Sequence, residues 1–85
     1  MSPDDLKFID AAILSIVPPR WQKVAMVALR SQEKLEAKFP QFSYLFYAKR
    51  VQFLADQGRL QSQGDLDYIR FSEVRLPQSE KPQPK

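Results

Sequence analysis

Apolar residues recur at helical spacing in three runs along this chain and at alternating spacing near its end. Leu6, Ile9, Ile13 and Ile16 step by three and four residues, with Ala12 and Val17 on the same side, which predicts an amphipathic first helix. Ser2 is placed to cap it, Pro3 suits the first helical position, and Asp4 and Asp5 complement the positive end of the helix dipole. Pro18-Pro19 ends the run, and the second proline suits the first turn of a helix starting near Arg20. In that second helix "WQKVAMVAL" is apolar nearly all round, whereas "RSQEKLEAK" has only Leu35 and alanine between charges. Its first half is expected to be buried, its second half to project into solvent, and Pro40 to end it.

Ser43 is placed to cap a third helix running from Tyr44 to about Gln57, with Gly58 as the left-handed residue that closes it. Tyr44, Tyr47 or Ala48, Val51, and Leu54 or Ala55 form its inward stripe. Beyond Gly58, "RLQSQ" and "YIRFSEVRL" read as two short strands flanking "GDLD". Gly64-Asp65 fits a two-residue turn with glycine first, and a loop of about four to six residues serves equally. Ile69 and Phe71 alternate onto one face while Val74 and Leu76 fall in the opposite phase. A bulge or bend near Ser72-Glu73 is therefore expected to bring all four inward. From Pro77 onward "PQSEKPQPK" has no apolar residue, which predicts a disordered tail over 77–85. The chain thus reads as α+β, a single winged-helix-like domain over residues 1–76 in which three helices are followed by a β-hairpin.

Composition narrows what such a domain does. A chain of 85 residues has room for one small domain, which buries only about 60% of the surface its unfolded form exposes. It has no cysteine, so no disulfide or thiolate-held metal, and no histidine, which removes the common general base and the usual zinc ligand. Catalysis and a cofactor are not expected, and no small-molecule substrate is evident. The acidic start "MSPDDLKFID" differs from a basic signal peptide, and no apolar run approaches the roughly 20 residues a membrane span requires. A cytoplasmic protein is expected.

The net charge of +3 is spread along the chain. Residues 1–17 carry one lysine against three aspartates, and residues 18–38 carry five basic residues against two glutamates. No basic block marks a phosphate-binding stripe. At the start of helix three, "FPQFSYLFYAKR" places Phe42, Leu45 and Phe46 where a DNA reader wants polar side chains. At the hairpin tip Asp65 and Asp67 repel phosphates; they also resemble the start of a calcium loop, but Ile69 stands where the next ligand belongs. The aromatic residues around helix three exceed what one helix face buries, so Phe42, Phe46 and Phe53 are the candidate partner-binding surface. Lys49, Arg50, Arg59, Arg70 and Arg75 are the candidate anion or DNA contacts. Trp21, just after the proline break, is expected to anchor the core, and Arg70, Glu73 and Arg75 to form cross-strand pairs.

The segments "WQKVA", "YAKRVQFLADQGRLQSQGDL" and "RFSEVRL" resemble an uncharacterised bacterial domain family, a domain of unknown function with W-x-K-V-A and S-E-V-R-L segments. The likeness covers most of residues 4–76. It implies a bacterial origin and a compact module also found attached to a larger domain, and it implies no activity. Under that resemblance Gly58 and Gly64 set the helix end and the turn, and Glu73 pairs with a nearby arginine to hold the bulge. An anion or partner site built from Arg50, Arg70 and Arg75 is the other explanation. The expected function is a non-catalytic protein-interaction or assembly module, working by self-association or partner binding. The alternative is a winged-helix DNA-binding protein such as a transcriptional regulator.

Overall fold

Helix α1 spans Pro3–Ile16 and starts in a reciprocal capping box. The Asp5 N–H donates to Ser2 Oγ at 3.1 Å and the Ser2 N–H to the Asp5 carboxylate at 3.3 Å, satisfying two backbone donors that the first turn leaves open. At the other end Val17, the residue before Pro18, is extended and its N–H donates to the Ile13 carbonyl. The computed structural model describes residues 2–77; the tail expected over 77–85 lies, beyond Pro77, outside the described residues.

The chain then runs along a sheet before it turns helical again. Strand β1, Gln22–Lys23, precedes helix α2, Val24–Leu35, so the second helix starts later than the expected Arg20. The reason is pairing: Gln22 and Lys23 lie opposite Val74 and Glu73, and Pro18 accepts a hydrogen bond from the Leu76 N–H at 3.0 Å. Pro18 and Pro19 carry no N–H, so this stretch can donate to the ladder only beyond them. Helix α2 also ends early, at Leu35. Its second half projects into solvent through Arg30, Glu33, Lys34 and Glu36, but Ser31 and Leu35 are buried, and Ser31 Oγ donates to the Val27 carbonyl at 2.7 Å. That bond lets a serine sit in an apolar interior.

Helix α3, Tyr44–Asp56, follows the Ser43 N-cap and buries Tyr47, Ala48, Val51 and Leu54, the expected stripe. It ends in a Schellman motif. The Arg59 N–H reaches the Leu54 carbonyl at 2.9 Å, the Gly58 N–H reaches Ala55 at 3.0 Å, and Gly58 takes φ 80°. Strands β2, Gln61–Gly64, and β3, Ser72–Arg75, pair antiparallel, and the sheet order is β1-β3-β2. The fold is mixed α+β, three helices with a small antiparallel sheet.

The hairpin differs from expectation at its tip. Gly64 is the last residue of β2, opposite Ser72, and residues 65–71 form a loop in place of a two-residue turn. No bulge is needed at Ser72-Glu73, because the strand begins only at Ser72. Ser72 and Val74 then point inward in one phase, while Phe71 is left outside at 74% exposure. Glu73 accepts from Gln63 Nε2, its cross-strand neighbour, and Arg75 Nε donates to Gln61 Oε1 at 2.7 Å, so neither forms the expected charge pair. Trp21 is half-buried beneath the Arg75 guanidinium, 4.3 Å from its ring centroid, and is not part of the core expected for it. A ring beside the sheet's central strand finds a cation there, where the interior is already filled by Val17, Val24 and Val74.

Two elements of this fold can be tested by substitution. Asp10 and Arg50 join α1 to α3 by a two-pronged bond, Nε to Oδ1 at 3.0 Å and Nη2 to Oδ2 at 2.7 Å, with side chains 10% and 18% exposed. Asp10→Ala should cost about 2–3 kcal/mol in urea unfolding because it strands a shielded cation. The double change Asp10→Leu/Arg50→Met should regain most of that loss. Gly58→Ala meets no atom within 4 Å and should cost only the left-handed conformation, about 1 kcal/mol. Gly64→Ala should melt at a clearly lower temperature than Gly58→Ala, since its added methyl would collide with the Phe71 carbonyl as well.

Candidate functional site

The aromatic residues near α3 divide into a packed row and an exposed remainder. Phe42 and Phe46 stack at 4.0 Å between centroids with planes 12° apart, and both meet Tyr47 edge-on, at 6.4 and 5.2 Å. Phe39 joins the row at 5.8 Å from Phe42, and Phe8 of α1 at 6.3 Å from Phe39. Such pairs contribute about 0.5–1.5 kcal/mol beyond their buried area. Phe42 and Phe46 are therefore partly buried and tie the 36–43 connection to α3. Phe53 is 42% exposed and lies apart from this row, under the Arg50 guanidinium at 4.3 Å.

The five candidate cations are not gathered into one surface. Arg50 is held by Asp10 and Arg75 by Gln61 and Trp21, so both serve the fold. Arg59 is exposed just past the end of α3. Lys49 on α3 and Arg70 within the 65–71 loop remain, both exposed. Asp10 was the missed partner. It interrupts an apolar stripe between Ile9 and Ile13, and a carboxylate at a stripe position asks for a buried cation.

The loop is what shapes the surface beside α3. Asp65 closes a local turn, accepting from the Asp67 N–H through its side chain at 3.0 Å and from the Tyr68 N–H through its carbonyl at 2.9 Å. From there the loop folds back over the helices. Gln52 Nε2 donates to the Leu66 carbonyl, and the Ala25 N–H donates to the Ile69 carbonyl at 3.2 Å. Ile69 thus supplies the acceptor at the start of α2, where Lys23 makes no side-chain cap.

Three shallow clefts run in series along this loop. The first, about 240 Å³, is lined by Leu45, Ala48, Lys49, Gln52, Asp67 and Ile69. It shares Asp67 and Ile69 with a second cleft inside the loop, which in turn shares Arg70 with a third against Ala25, Leu29 and Tyr44. Leu29, Leu45, Tyr68 and Phe71 are exposed around them at 44, 58, 61 and 74%. Phe71, expected in the core, lies outside it, and Leu45 is exposed beside the first cleft. The aromatic excess was visible in the sequence, but its position depends on where β3 begins. Among the described residues no cluster of His, Cys, Asp and Glu fits a metal ion, and no helix is long and apolar enough to cross a membrane. No family model, curated protein or solved structure matches this chain.

Tyr47 carries a group with no role in these clefts. Its side chain is fully buried, its hydroxyl has no hydrogen-bond partner among the described residues, and burial pushes its phenol above the ordinary value near 10. In the unfolded chain the phenol ionises first as pH rises, so stability is complete below about pH 10 and falls as pH climbs through and beyond that value. Tyr47→Phe should leave stability at neutral pH unchanged or raise it by up to about 1 kcal/mol. It should also flatten the alkaline loss relative to the wild type. Urea midpoints of both proteins at neutral and alkaline pH check this.

Proposed function

We propose that this chain is a non-catalytic protein-interaction module of the cytoplasm, which binds through the face formed by α2, α3 and the 65–71 loop. The observation that carries the reading is the continuous row of clefts there, ringed by exposed Leu29, Leu45, Tyr68 and Phe71. A contiguous apolar surface on a small domain marks a contact. Phe42 and Phe46 are packed against each other and Tyr47, so the contact surface centres on Leu45 and Phe71. The absence of histidine and cysteine is what supports the non-catalytic part of the reading, and the lack of cysteine also fits a reducing compartment.

A winged-helix DNA reader is the second reading, favoured by the element order and by the sheet order β1-β3-β2. Its recognition helix would be α3. The outer side of that helix carries Leu45, while Gln52, the residue best able to read a base, is engaged by the loop carbonyl of Leu66. Asp65 and Asp67 sit in the loop that would meet phosphates, and two of the five candidate cations are committed to other side chains.

A photo-crosslinking side chain at Phe71, with the same group at Lys23 on the polar sheet as control, separates the readings. In cells producing the chain, protein adducts should form at Phe71 well above those at Lys23. Equal yields at the two positions would sink the interaction reading. Duplex DNA should show no salt-sensitive retention that neutralising Lys49 and Arg70 weakens; such retention would favour the second reading.

A further inference from the structure

We propose that the occupant of this face is a second copy of the same chain, docked about a two-fold axis so that Lys49 of each copy meets Asp67 of the other. The inference rests on the interaction reading above and adds the identity of the partner. Its basis is the distribution of charge in the clefts. Lys49 and Asp67 line the same cleft, yet neither forms an ion pair among the described residues, where the one ion pair is Asp10–Arg50. A groove rimmed by a single sign of charge calls for a partner of the opposite sign. A cleft that carries one cation and one anion beside Leu45 and Ile69 is complementary to itself.

Two-fold pairing uses that property, because the same patch serves on both subunits and every contact between two different residues occurs twice. Leu45 and Phe71 would lose their water together, and each Lys49–Asp67 contact would form at the edge of the dried area. The size of the folded domain adds a second reason. A domain this small buries a limited share of its apolar surface, and oligomerisation is a usual way for such scaffolds to gain stability. Four of the seven large hydrophobic residues exposed among the described residues, Leu29, Leu45, Tyr68 and Phe71, surround these clefts. A polyanionic occupant is disfavoured by Asp65 and Asp67 in the loop.

Sedimentation of the full chain over a micromolar to millimolar series tests the proposal. The variants are Leu45→Glu, Lys49→Asp, Asp67→Lys and the double charge exchange, each first checked by circular dichroism for an unchanged fold. All three positions are exposed, so the substitutions should leave folding intact. The wild type should form a reversible dimer, and Leu45→Glu should weaken it by at least about tenfold. Each single charge reversal should weaken it about tenfold by placing like charges opposite one another, and the double exchange should restore it to within about threefold of the wild type. A wild type monomeric throughout the series, a Leu45→Glu protein that dimerises as before, or a double exchange no better than the singles would each overturn the pairing. Crosslinks from Phe71 to other proteins but not to a second copy would overturn it while leaving the interaction module standing, whereas no crosslinks above the Lys23 control would remove both.

Discussion

Strand β3 is the element on which the remainder depends. It lies between β1 and β2, so its backbone is satisfied on one edge by the segment that follows α1 and on the other by the segment that follows α3. Val74 at its centre is fully buried and paired with both Gln22 and Ser62. A strand held on both edges cannot slide by one residue, since a slip would turn Ser72 and Val74 outward and Glu73 into the core. This fixed register is also what leaves Phe71 outside. It ends the pairing at Ser72, and the preceding residues must cross the gap back to Gly64 as a loop.

That loop joins the fold to the surface. Because α2 begins at a lysine that offers no cap, its first turn takes an acceptor from Ile69, and α3 holds the other side of the loop through Gln52. The loop is thus part of the helix packing and does not stand off as a free wing. Its apolar residues are consequently presented next to Leu29 and Leu45, and the three clefts follow from that placement. The Asp10–Arg50 pair on the far side of α3 and the Phe42–Phe46 stack at its beginning hold the helix so that Leu45 and Lys49 face the loop.

Much of this was legible in the residues. The cap at Ser2, the stripe of α3, the glycine that ends it and the α+β order all rest on local chemistry, and they stand in the structure at or near the expected places. The differences occur where a distant segment competed with a local preference. Gln22 and Lys23 have a helical pattern, but the free edge of β3 draws them into a ladder. The charged half of α2 looked solvent-facing, yet Ser31 reaches the interior because its hydroxyl can bond one turn back. The same competition separates the candidate site residues: Arg50 and Arg75 are both cationic, and each has a partner that spacing along the chain does not reveal.

The sequence by itself determined α1 and α3, their ends and the excess of apolar side chains over what so small a core can hold, because capping, periodicity and composition act within a few residues of each position. Only the tertiary structure decided which apolar residues were left over. Phe71 and Val74 are three positions apart and read alike as strand residues, but one is exposed and the other fully buried. The difference is set by where Gln22 and Gly64 come to lie beside β3, opposite Val74 and Ser72, and the first of these contacts joins segments roughly fifty residues apart.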